Sequence, residues 1–331
     1  MSGGLRIGSL CTGYGGLDMA VQAVLGGTLA WVSDIDPGAS RILAHHHPQV
    51  PNLGDLTAVD WTGIEPVDVV CGGYPCQPFS TAGKRKGTAD ARHIWPSIAH
   101  ALRVLRPRYA VFENVAGHLR LGFDTVLADL ARLGFDAEWC LVRASEIGAP
   151  HHRQRLFLLA VAADPDRLGG DGRRARGAAR DEPAPHRLAP AHPGGEGLEV
   201  RRVEPHRDER QAAQRSGGQP PADTDPRGRG TDESHVRPGQ PDADWGRFAP
   251  AIARWESVLG RPAPGATDAR RRLNPAFVEW LMGLAPGHVT DVSGLTRTQQ
   301  LKALGNGVVP QQAEAALRML LDRATHQEAH P

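Results

Sequence analysis

The feature that most limits how this chain can fold is an alternation running from the N-terminus to about Ala163. Short apolar or β-branched runs (LRIGSL, LAWVSDID, VDVVCGG, YAVFEN) are separated by stretches with apolar residues at helical spacing, such as GLDMAVQAVL and IAHALRVL. Strands covered on both faces read as continuous apolar runs, and a helix between successive strands is the crossover that parallel pairing requires. The series predicts an α/β domain built on a parallel, doubly wound sheet. Two more strand-like runs, AEWCLVRA and RLFLLAVAA, follow the helical DTVLADLARL and predict a hairpin added at a sheet edge.

Between 164 and 244 the composition changes. Pro, Gly, Arg, Asp and Glu dominate, aromatic residues are absent, and apolar residues recur at neither period. A segment of this kind cannot offset the entropy of ordering itself, so 164–244 is expected to be a solvated, disordered insertion; an Arg-rich segment that orders on DNA is the sharper alternative. Helical patterning returns in DWGRFAPAIARWESVLG, where Trp245, Phe248, Ile252, Trp255 and Leu259 form a stripe suited to a core. NPAFVEWLMGL follows, with Asn274 as N-cap and Pro275 at the first helical position, and after LGNGVVP a last helix is expected from about Gln311 to Asp322.

With 331 residues, 40% of them hydrophobic, the chain can bury a large core. No apolar run approaches the roughly 20 residues of a membrane span, and the N-terminus lacks the order of a signal peptide, so no membrane partner and a cytoplasmic location are expected. The four cysteines form no paired framework and are expected to be reduced. The 38 basic residues nearly cancel the 37 acidic ones, so any surface for nucleic acid must come from local clustering.

The chemistry begins at CTGYGGLD, a glycine-rich turn between the first strand and its helix. Parallel sheets bind nucleotides at such a place, and Gly13, Gly15 and Gly16 let backbone amides approach a ligand. The second strand ends in Asp34, where an acid accepts hydrogen bonds from ribose hydroxyls; NAD, FAD and S-adenosylmethionine all suit this pair of features. The run VDVVCGGYPCQPFS then fixes a thiol, Cys76, between Pro75 and the Gln77-Pro78 pair at the mouth of the sheet. A cysteine attacks as thiolate, and its addition to C6 of a pyrimidine makes C5 nucleophilic toward a methyl donor.

PCQPFS with Glu113, Asn114 and Val115 downstream resembles the bacterial and phage DNA (cytosine-5)-methyltransferase family. The resemblance extends from SLCTGYGG through SDID, GDL, PCQPFS, ENV, RQR and RLNP to GNGVVP, in the family's order. It implies a Rossmann-like S-adenosylmethionine-dependent methyltransferase sheet with a small target-recognition region. On the chain this gives a catalytic domain at 1–163, the insertion at 164–244, a reduced target-recognition region at 245–271, and a segment at 272–331 that completes the catalytic domain. The implied reaction is methyl transfer from S-adenosylmethionine to C5 of a flipped cytosine in a specific duplex sequence, in restriction-modification or in orphan or phage protection.

The same resemblance assigns roles. Cys76 is the expected nucleophile and Glu113 the acid that holds the cytosine N3 and exocyclic amine. In HHRQRLF the alternating Arg153 and Arg155 are expected to point to one face of a strand, so that Arg155 fixes Glu113 while Arg153 reaches the base carbonyl or backbone phosphate. Gly13, Gly15 and Gly16 fall to the methionine end of the cofactor, Asp34 to the ribose and Asp55 to the adenine amine. Ile35 and Leu56 flank the adenine, Pro75 lines the same pocket, Cys11 stands where the family usually has Phe, and Asn306 returns from the far end to close the site. His151 replaces a common Gln, and Gly307 a frequent Ser.

After the nucleophile, STAGKRKGTADAR carries Ser80, Lys84, Arg85 and Lys86, a basic strip expected to close on duplex DNA and occupy the gap left by the flipped base. No metal is expected, because methyl transfer to carbon needs none and no Cys/His spacing resembles a zinc site. The expected partner is double-stranded DNA, with the protein a monomer and any cognate restriction endonuclease not stably bound. A transfer-RNA cytosine-5 methyltransferase on the same scaffold and a non-catalytic DNA-binding protein are the rival readings.

Overall fold

The computed structural model describes residues 4–75, 94–163 and 245–328. All of them belong to one compact unit, which brings the C-terminal residues against the N-terminal half. The expected insertion, 164–244, lies outside the described residues.

Six strands form one sheet: β1 (Arg6–Leu10), β2 (Thr28–Ser33), β3 (Val69–Gly72), β4 (Tyr109–Val115), β5 (Phe135–Arg143) and β6 (Gln154–Ala162), in the order β2-β1-β3-β4-β6-β5. The first four are parallel, as their apolar runs predict, and β6 is antiparallel to both its neighbours. The β5/β6 pair is the hairpin expected at the edge, with β6 inserted between β4 and β5.

Helices cover both faces. α1 (Gly16–Leu25) and α2 (Pro37–His46) follow β1 and β2; α3 (Trp95–Leu105) and α4 (Phe123–Arg132) precede β4 and β5. On one face Val70, Phe112, Leu156 and Leu158 meet Ile98 and Leu102 of α3 and Phe123 and Leu130 of α4. On the other, Ile7, Val69, Val111 and Phe157 meet Leu17 and Val21 of α1. This second face is also covered from the far end of the chain.

Beyond 245 come α5 (Ala249–Leu259), α6 (Pro275–Leu281), α7 (Arg297–Asn306) and α8 (Pro310–Glu328). Ala313, Ala316, Leu317 and Leu320 of α8 pack beside α1 on the sheet, so two helices remote in sequence share one layer. α8 is longer at both ends than the sequence pattern suggested. In α5, Ile252 and Trp255 are buried as expected, and the Trp255 indole donates to the Trp280 carbonyl at 3.0 Å. Phe248 departs from the stripe: it sits in a 3-10 turn ahead of α5 and is 56% exposed. Asn274 caps α6 as predicted, its side-chain oxygen accepting from the Ala276 N–H at 3.1 Å.

Candidate active site

The winding of the sheet reverses between β1 and β3, because the chain passes from β1 outward to β2 and then returns to the other side of β1. Loops at the carboxyl ends of β1 and β3 therefore diverge and leave a crevice, the usual ligand site in such sheets. A cavity of about 670 Å³ fills it. Of the residues singled out in the sequence, Cys11, Gly13, Gly16, Asp34, Ile35, Asp55, Leu56, Pro75, Glu113, Arg155 and Asn306 line this one space. Gly15, the N-cap of α1, and Arg153 are not among the lining residues. Cys76, Ser80, Lys84, Arg85 and Lys86 lie outside the described residues, although Pro75 precedes Cys76 directly.

One end of the cavity is made largely by backbone. Gly13 and Gly15 have φ of 61° and 85°, which turns the chain sharply from β1 into α1. A Cβ on Gly13 would meet nothing within 4 Å, so a ligand can approach the turn closely. The Gly13 N–H donates to Asp34 Oδ2 and the Asp36 N–H to Asp34 Oδ1, both at 2.8 Å, which fixes the carboxylate at the end of β2. Burial raises the Asp34 pKa, and these two donors partly offset the rise. Asp55 Oδ1 accepts from Thr57 N and Oγ1 at 2.9 and 2.7 Å, bonds that hold its pKa below the usual range. Ile35 is 73% exposed at the rim, an apolar side chain left uncovered in the protein alone. Burial and the charge of Asp34 push the Cys11 thiol up to about 12, so it remains neutral.

The GN segment closes this end by contact with the glycine turn. The Tyr14 hydroxyl donates to the Val308 carbonyl at 2.6 Å, and a Cβ on Gly16 would lie 2.1 Å from that same oxygen. A Cβ on Gly307 would lie 1.8 Å from the Tyr14 ring. Tyr14 thus accounts for glycine where the family often has serine.

The other end is made by charged side chains. Glu113 near the end of β4 is 8% exposed, and its Oε1 accepts from Arg155 Nε at 2.9 Å. Burial pushes the Glu113 carboxyl up to about 7, against the opposing pull of Arg155 and Arg153. Gly73 lets the β3 loop pass close by, since a Cβ there would be 3.3 Å from Glu113 Oε2. Asn114 holds the same loop, donating to the Tyr74 carbonyl at 3.1 Å. His118 Nδ1 faces the Leu121 carbonyl at 2.9 Å and must donate to it; burial keeps the ring neutral, so Nε2 accepts from the Tyr74 hydroxyl at 2.8 Å. Two residues before Cys76, the loop is therefore anchored through both its backbone and its side chain.

Arg153 differs from expectation. β6 starts at Gln154 and Arg153 has φ of 28°, so strand alternation does not relate it to Arg155. Its guanidinium donates to the carbonyls of Gly305, at 3.2 Å from each terminal nitrogen, and of Gly307. Its own carbonyl accepts from Gln312 of α8 at 2.8 Å. His151, in place of the common Gln, has its Nε2 3.0 Å from the Leu281 carbonyl. Tyr14 and Asn114 stood in the quoted motifs without an assigned role, and His118 and Lys302, which ion-pairs with Asp36, carried no motif signal.

Fold and site together define an α/β protein with a nucleotide-type crevice and a buried acid–guanidinium pair in its wall. The family described as C-5 cytosine-specific DNA methylase matches residues 5–185, and the chain belongs to that family. Among curated relatives, the Type II methyltransferase M.NgoBV of Neisseria gonorrhoeae is 31% identical over 149 residues, 41% of this chain and 35% of the relative. The orphan methyltransferase M.SPRI of Bacillus phage SPR is 31% identical over 170 residues, 49% of this chain and 39% of the relative. The chain thus matches about two fifths or less of the length of these two relatives. Among solved structures, S. pombe Dnmt2 methyltransferase aligns with a TM-score of 0.58 at 18% identity, covering 97% of this chain and 99% of that one. A putative DNA modification methyltransferase from an E. coli prophage gives 0.55 at 18% identity, with 96% and 99% covered. These likenesses establish the fold. Among the described residues no helix is long and apolar enough to cross a membrane.

Proposed function

We propose that the protein is a DNA (cytosine-5)-methyltransferase that moves a methyl group from S-adenosylmethionine to C5 of a cytosine turned out of duplex DNA. One observation carries this reading: a buried Glu113, gripped by Arg155, shares its cavity with the glycine turn and with Pro75, the residue before Cys76.

The residues present fit the cofactor. The N–H groups of the first turn of α1, which a helix leaves without intrahelical acceptors, suit its carboxylate. Each oxygen of Asp34 accepts one backbone N–H and keeps a lone pair for a ribose hydroxyl. Ile35 offers an apolar face to the adenine and Asp55 an acceptor for its amine. When bound, the cofactor supplies a methyl group on a positively charged sulfur, which an activated C5 accepts.

The chain's own residues supply the activation. The Cys76 thiolate adds to C6, and Glu113, protonated or donating to N3, takes up the negative charge that this addition places on the ring. Arg155 holds the carboxyl in place. After methylation the proton at C5 passes to solvent water, and β-elimination releases the thiolate. Arg153 acts one step back, tying the GN segment to the start of β6. Ser80, Lys84, Arg85 and Lys86 supply contacts to the DNA backbone, and 245–271 supplies target contacts. We place the enzyme in the cytoplasm as a monomer with double-stranded DNA as its partner.

Incubation with methyl-tritiated S-adenosylmethionine and either duplex DNA or transfer RNA, followed by base analysis, tests the reading. Label in 5-methylcytosine of DNA is expected; label in adenine, or in transfer RNA alone, refutes it.

A further inference from the structure

Asp18 takes no part in the chemistry above, yet it is 2% exposed and lines the same cavity. It lies in the first turn of α1, under the glycine turn, and a Cβ on Gly15 would be 3.8 Å from its Oδ2. Its Oδ1 accepts from the Cys71 thiol at 3.3 Å, a weak neutral donor. Its Oδ2 has no hydrogen-bond partner among the described residues. Burial raises the Asp18 pKa, and Ser9, Cys71, its own backbone N–H and His47 offset the rise only in part; among the described residues no Arg or Lys bears on it. A buried carboxyl with an orphaned oxygen and no cation beside it is costly, and a site built to receive a cation recovers that cost when the cation arrives.

Resting on the proposed function, we infer that Asp18 is the buried counter-charge for the cofactor's positive sulfur, so that the chain holds the sulfonium donor more firmly than it would without this acid. Methyl transfer turns the sulfonium into a neutral thioether, and the charge that Asp18 attracts is lost with the methyl group. Asp18 is thus a positioning residue that favours the loaded donor over the spent product. A purely structural acid would support both ligands equally, because they share every other atom that meets the glycine turn.

Calorimetric titration of the full chain with S-adenosylmethionine and with S-adenosylhomocysteine separates these roles. For Asp18→Asn the Kd of S-adenosylmethionine should rise about tenfold, a shift typical of losing one partly buried charge partner, while that of S-adenosylhomocysteine stays within about twofold. Thermal melting without ligand checks folding; should Asp18→Asn not fold, Asp18→Glu, expected to keep the wild-type ratio, and Asp18→Ser, expected to lose it, carry the same comparison. Equal changes for both ligands, or none for either, overturn the inference. Failure of the wild-type chain to bind either ligand removes the proposed function, and the inference with it.

Discussion

The two ends of the cavity are built in different ways. At the cofactor end, backbone and shape do the holding: two glycines at positive φ, a carboxylate fixed by main-chain N–H groups, and a tyrosine seated where a Cβ on Gly307 would stand. At the catalytic end the parts are charged side chains, a buried acid and a guanidinium 2.9 Å apart, and the acid's proton affinity depends on burial. Changes at the first end should therefore act through packing and ligand affinity, and changes at the second through chemistry and pH. Arg153 joins the two, lying in the electrostatic field of Glu113 while bonding the GN segment.

The largest effect should come from the catalytic end. Glu113→Gln keeps shape but loses the titrating proton, and kcat should fall about 10²- to 10³-fold with little change in the Kd of S-adenosylmethionine. The wild-type rate should also decline as pH rises through about 7, as the carboxyl loses the proton that N3 requires, and the variant should lack this limb. Stability follows the same group. Because the folded pKa of about 7 exceeds the reference value of 4.5, the proton binds the folded state more tightly, so this contribution is full below about 4.5 and is lost as pH rises to about 7. Thermal melting across that range, compared with Glu113→Gln, reads it directly.

At the cofactor end Gly307→Ser should act by collision. Its Cβ would meet the Tyr14 ring, at a cost of about 2 kcal/mol in thermal melting, with weaker binding of S-adenosylmethionine. Combining it with Tyr14→Leu should recover most of that loss, although Tyr14→Leu alone forfeits the hydrogen bond to Val308, worth about 1 kcal/mol. Additive losses in the double variant would break the proposed dependence of residue 307 on residue 14.

The smallest effect is expected at the rim. Lys302→Ala removes the exposed ion pair between α7 and Asp36, and should weaken cofactor binding by no more than about threefold, less at high salt.

The same contrast governs what the sequence could reveal. Strand runs and amphipathic helices announce themselves by period, so the parallel core, the edge hairpin and α1, α3 and α4 were legible. α2 and α7 were not, because their apolar faces are narrow: α2 buries only Ile42 and Leu43 as large side chains, and α7 only Leu304; their signals were the Asp36-Pro37 start and the Thr296/Gln299 capping box. Glu113, Arg155 and the glycine turn were legible through motif. The Tyr14 bond to Val308 was not, since it spans 294 positions and depends on packing rather than pattern. Arg153 was misread because its backbone leaves the strand region one residue before β6 begins.

The central claim is that a thiolate at position 76 adds to a cytosine held by Glu113. Duplex DNA carrying 5-fluorocytosine in place of cytosine blocks the final elimination and should trap the enzyme covalently in the presence of S-adenosylmethionine. Denaturing electrophoresis and peptide mapping are expected to show one adduct, attached at Cys76 and absent from Cys76→Ser. An adduct at another residue, or undiminished methylation of ordinary DNA by Cys76→Ser, would contradict the account.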